Sequence, residues 1–146
     1  MNKLLTTATL LLIFALASFA QAADIQVSFP IKNALENPKI ASKLNYVKLF
    51  WGDQGYSAVK TNFGEFKTSQ RTNAFRKARE EACQWALAAA LIQLQERAVK
   101  EGGNAVVNIK SNIKNKEISS EQDYECLAGS VMVNVALKGT AVRLAD

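Results

Sequence analysis

Cys83 and Cys126 are the only thiols in the chain, and no histidine accompanies them. These two facts narrow the chemistry at once. Serine–histidine–acid and cysteine–histidine nucleophiles both need an imidazole, so neither arrangement can be built. A zinc site takes four nitrogen or sulfur ligands or keeps three beside a water, and two thiols without histidine supply neither. A redox-active pair normally sits close in sequence, whereas Cys126 lies far downstream of Cys83. In an exported chain the pair reads as one structural disulfide. Closing that loop would stabilise the fold by about 4 kcal/mol through the lost entropy of the unfolded chain.

The carboxylates add little. Glu80 and Glu81 are adjacent and point to different sides of a helix, a poor acid–base pair, while Asp53, Glu65, Glu121 and Asp123 fall in expected loops. There is no phosphate loop, no dinucleotide fingerprint and no nucleophile elbow. No catalytic residue, metal ligand or cofactor is assigned, and the chain reads as a protein that is not an enzyme.

The elements that position the cysteines begin after a leader. Met1-Asn2-Lys3 is a short basic start, "LLTTATLLLIFALASFA" is an apolar run, and Ala20-Gln21-Ala22 is a small-x-small cleavage site. The apolar run is short against the roughly 20 residues of a membrane span. Residues 1–22 therefore read as a cleavable signal peptide, cut after Ala22, with no membrane span left in the mature chain. Residues 23–146 then form a single periplasmic domain, long enough for its own core. Without Lys3, 17 basic residues face 13 acidic ones, and the basic ones are scattered along the chain. That balance suits a solvated surface or an anionic envelope component, and outside the cytoplasm it does not ask for nucleic acid.

Hydrophobic periodicity sets the expected elements. Ile25, Val27 and Phe29 alternate as a strand ended by Pro30, one or two short helical turns follow through Leu44, and "YVKLFWG" is a second strand. Gly52 to Arg71 carries three glycines between aromatics and reads as a loop or loose hairpin, so Trp51, Tyr56, Phe63 and Phe66 are candidates for lining a ligand site or for pinning the loop to its own domain. A helix is predicted from about Thr72 to Lys100, with Cys83, Leu87, Leu91, Leu94 and Ala98 on one stripe facing the sheet. Trp85, Ile92 and Val99 form a second apolar line, flanked by Ala89. Either another segment covers that line or it is an interface with a second copy. Gly102-Gly103 stops the helix, "NAVVNIKS" is a buried strand, the polar run from Asn112 is an exposed connection, and a last long strand turns Val131, Val133, Val135 and Leu137 inward. Val142 and Leu144 fall out of that phase, which predicts a bulge at Gly139.

The second half resembles known families. "AVKEGGNAVVNI" from Ala98, followed by "LKGTAVRL", looks like the helix–strand–strand core of YbjQ-type domains, which are described as heavy-metal-binding and oligomeric. A helix, "NAVV" and a cysteine on a following strand is also similar to the disulfide-bonded periplasmic domain of the Rcs outer-membrane stress sensor. "FWG", "EAC", "GGNAVVNIKS" and "YECLAG" resemble a family of small uncharacterised proteobacterial periplasmic proteins. The excinuclease ATPase-subunit label that some of its members carry does not suit a chain without a phosphate loop, nor does a heavy-metal role suit one without histidine.

The expected fold is α+β: a mainly antiparallel sheet of about four strands with one long helix packed on one face. The expected function is a non-catalytic binding or interaction protein of the cell envelope, its partner an envelope protein, an anionic envelope component or a second copy. Two alternatives stand beside it: an envelope-stress sensor or accessory, and a small-molecule-binding or weakly catalytic protein using the Gly52–Phe66 loop.

Overall fold

Residues 23–146 are described by a computed structural model; the expected signal peptide over residues 1–22, with its cleavage after Ala22, lies outside the described residues. The hub of the sheet is the last strand, β7 (Met132–Leu144). Along one edge it pairs antiparallel with β3 (Val59–Asn73) from Met132 to Leu144. Its other edge is shared by β6 (Asp123–Ala128), at Val133 and Asn134, and by β4 (Ala105–Ile113) further on. From β6 hangs β1 (Ile25–Pro30), and from β4 hang β2 (Lys48–Trp51), which runs parallel to it, and the short β5 (Lys116–Ile118). The sheet therefore has seven strands of mixed direction, not about four.

Two stretches read as connections account for the difference. Most of the expected Gly52–Arg71 loop is β3, which also absorbs Thr72 and Asn73, so the long helix starts at Arg79 rather than at Thr72. On β3 the helix-facing side is polar after Phe66. Thr68 is buried with its hydroxyl 3.4 Å from Gln93 Oε1, and the Thr72 hydroxyl donates to the Ala82 carbonyl at 2.9 Å. Threonine suits a strand through its β-branch, yet leaves no apolar alternation to read. The polar run after Asn112 is likewise not one exposed connection: Lys114 and Asn115, both at positive φ, make the two-residue turn that pairs β5 with β4, and β6 begins at Asp123.

The bulges also lie elsewhere. One is on β4, where the pairing with β7 shifts register between Val107 and Lys110 and Asn108 takes φ 52°; the β3–β7 pairing also shifts register, between Val59 and Thr61 and between Asn62 and Gly64. Val106 and Ile109 thereby both join the main core, while Ala105 and Val107 face the opposite side. Val142 and Leu144 belong to that opposite side, in a small cluster with Phe50, so their phase needs no bulge at Gly139. Gly139 instead lies under the helix: a Cβ there would sit 2.7 Å from Val106 Cγ1 and 3.6 Å from Leu94 Cδ1. Val133, Val135 and Leu137 point inward, whereas Val131 is exposed.

The long helix α3 (Arg79–Glu101) crosses β3 and β7 on one face of the sheet. Cys83, Leu87, Leu91, Leu94 and Ala98 are all buried there, as a 3.6-residue period requires. Gly102, at φ 90°, ends the helix; its N–H donates to Val99 O at 3.0 Å and that of Gly103 to Ala98 O at 2.7 Å, a Schellman cap. Two short helices, α1 (Ile31–Glu36) and α2 (Pro38–Ala41), lie along its flank. Buried glutamines pin this flank: Asn37 Nδ2, between the two helices, donates to Gln84 Oε1 at 2.8 Å, and Gln95 Nε2 donates to Val47 O, on the chain leading to β2, at 2.8 Å. Cys83 and Cys126 are joined in a disulfide, their Cα atoms 6.0 Å apart, which ties the first turns of α3 to β6. Such a bond suggests an oxidising compartment. Among the described residues no helix is long and apolar enough to cross a membrane.

Candidate binding groove

A groove of about 630 Å³ opens between α1, β2 and the segment that leads into β6. Its size falls within the range of roughly 300–1,000 Å³ usual for ligand sites. Ile31 and Trp51 are buried at its base and Leu35 and Leu49 half-buried beside them, while Lys32, Glu36, Glu121 and Asp123 stand exposed at its rim.

Local sequence explains each wall. Pro30 takes φ −63° and leads into α1, whose Ile31 N–H donates to the Gln122 carbonyl at 2.8 Å. Ile31 and Leu35 are one helical turn apart and so share a face. The segment before β6 is folded by Ser120, whose hydroxyl accepts from the N–H groups of Gln122 and Asp123 at 3.1 and 3.0 Å. It lies against the turn after β2, where Gly52 adopts φ +55°. A Cβ at Gly52 would come within 3.2 Å of Ser119 Oγ and of the Ser120 carbonyl carbon, so the backbone favours glycine and a side chain would push these neighbours back by a few tenths of an ångström.

The base holds an unmet hydrogen bond. Trp51 is 3% exposed, and its indole Nε1, itself closed to solvent, has no partner among the described residues. Its backbone N–H, by contrast, donates to Gln54 Oε1 at 2.7 Å. The rim has a charge of its own. Lys32 and Glu36 pair with each other at 3.7 Å, and Glu121 and Asp123 have no ion pair among the described residues. Two uncompensated negative charges thus flank an apolar base in a chain whose net charge is +5.

Of the four aromatics singled out from the sequence, only Trp51 reaches this groove. Tyr56 packs edge-on against Phe50, ring centroids 5.6 Å apart, on the far side of the sheet. Phe63 and Phe66 lie on β3 against the main core, with the Arg97 guanidinium 4.2 Å above the Phe66 ring. The helix line is placed differently. Trp85, Ala89 and Ile92 are half-buried and Val99 is 42% exposed, because α1, α2 and the chain to Val47 cover the flank of Gln84 and Gln95 and stop short of this side. Ile31, Leu35, Leu49, Gln54, Glu121 and Asp123 went unnoticed as a group in the sequence. The one local signal was the Ile31–Leu35 spacing.

Among the described residues no cluster of three or more histidine, cysteine, aspartate or glutamate side chains could hold a metal ion. Set against protein-family models and against curated proteins, the chain matches none.

Proposed function

We propose that this is a non-catalytic binding protein of the periplasm, and that its ligand seats in the groove between α1, β2 and residues 121–123. The observation that carries the reading is the groove itself, about 630 Å³ and lined by the apolar side chains of Ile31, Leu35, Leu49 and Trp51. A ligand that lays an apolar group against these side chains removes their surface from water, which stabilises the complex by about 25 cal/mol per Å² of apolar surface buried. The disulfide and the signal-peptide pattern support the periplasm as the place, and the resemblance to small periplasmic proteins agrees with it.

The test uses a neutral apolar probe, N-phenyl-1-naphthylamine, titrated into residues 23–146. Saturable fluorescence enhancement is expected. Leu35→Asp, which puts a charge on the half-buried wall, should weaken the probe at least about tenfold without changing the circular dichroism spectrum. Equal enhancement by the variant would overturn the groove.

A second reading concerns a second copy of the chain, and the incomplete cover of the α3 line, half-buried at Trp85 and Ile92 and exposed at Val99, favours it. Trp85 and Val99 each lie seven residues, two helical turns, from Ile92. An antiparallel two-fold docking of α3 on its own copy would set Ile92 against itself and Trp85 against Val99.

A further inference from the structure

We infer that the occupant of the groove is an extended peptide segment with an apolar side chain flanked by lysine or arginine. This rests on the groove reading above and adds the chemistry of the ligand. Three observations converge on it. The base of Ile31, Leu35, Leu49 and Trp51 takes one bulky apolar side chain and excludes a wholly polar ligand. The Trp51 backbone N–H, a donor held by the Gln54 side chain of the same groove, can be taken over by a peptide carbonyl, and a peptide carbonyl is always a residue away from a side chain. The rim is negative through Glu121 and Asp123 although the protein as a whole is basic, so it attracts a cation that the rest of the surface repels.

The strand that floors the groove is suited to an extended guest. Among the described residues β2 has β4 as its one strand neighbour, and the Gly52 N–H after it donates to the Ile109 carbonyl of β4. The Trp51 backbone N–H, one residue earlier in the alternation, is met by the flexible Gln54 side chain rather than by a strand. A peptide carbonyl can replace that amide without disturbing the sheet.

Two acetylated, amidated pentapeptides separate the possibilities: Lys-Leu-Phe-Leu-Lys, and the same core with glutamate in place of both lysines. By isothermal titration calorimetry at low salt the lysine peptide should bind at least about tenfold more tightly, and the difference should shrink as salt screens the rim. The double variant Glu121→Lys with Asp123→Lys alters two exposed side chains and should reverse the preference. Equal affinity for the two peptides, or a preference untouched by the double variant, overturns the inference. If the neutral probe binds in a Leu35-dependent way and neither peptide binds, the peptide assignment falls and the groove remains. If neither the probe nor a peptide binds, both fall.

Discussion

Trp51 and Tyr124 are the two side chains whose buried polar atoms lack a partner among the described residues, and their surroundings separate them. The Trp51 ring lines the groove, while its Nε1 is itself closed to solvent. Tyr124 is wholly buried in the main core with its ring 6.3 Å from that of Phe29. Burial pushes its phenol above the ordinary value, and the Glu80 carboxylate adds to the shift, so the hydroxyl stays protonated and has nothing to donate to. A buried hydroxyl without a partner contributes desolvation cost and little else. Tyr124→Phe should therefore leave urea-unfolding stability unchanged or raise it by up to about 1 kcal/mol. A loss larger than about 1 kcal/mol would show that the hydroxyl has a partner after all.

At the scale of elements, the disulfide fastens the start of α3 to β6, across a sequence separation of 43 that takes in the rest of the helix, β4 and β5. Removing it as Cys83→Ala with Cys126→Ala should lower unfolding stability by about 4 kcal/mol, and a reductant should do the same to the parent chain. Guanidinium denaturation with and without reductant checks this, and coincident curves would refute it. The cysteine pairing, the buried stripe of α3 and its glycine cap were all legible because each depends on local spacing or on a residue type with one physical use. β3 was not legible, because hydrogen-bonded Thr68 and Thr72 stand where a strand reader looks for valine. The bulge was sought at the glycine, Gly139, and is instead made by Asn108, a residue that tolerates the left-handed region through its short polar side chain. The groove was legible only at Trp51. Its walls come from three separated stretches, residues 31–36, 49–54 and 121–123, which only the sheet order brings together.

At the scale of the whole molecule, the side of α3 away from the sheet carries Trp85, Ile92 and Val99, and α1 and α2 leave it open. Light scattering on residues 23–146 should give the mass of two copies, and Ile92→Asp should return it to one copy with an unchanged urea midpoint. A monomeric parent would sink the self-association reading, and an unfolded variant would show that this line is core. The connectivity of β7 has a separate consequence, one of timing. Each of its three partners, β3, β4 and β6, precedes it in the chain. As the chain is made these strands emerge without the strand that joins them, and while β6 meets β7 as a short hairpin, the closing contacts with β3 and β4 span long sequence separations. The sheet is completed in a late step, when Met132–Leu144 arrives, and until then the incomplete chain exposes strand edges that a holding chaperone would have to shield.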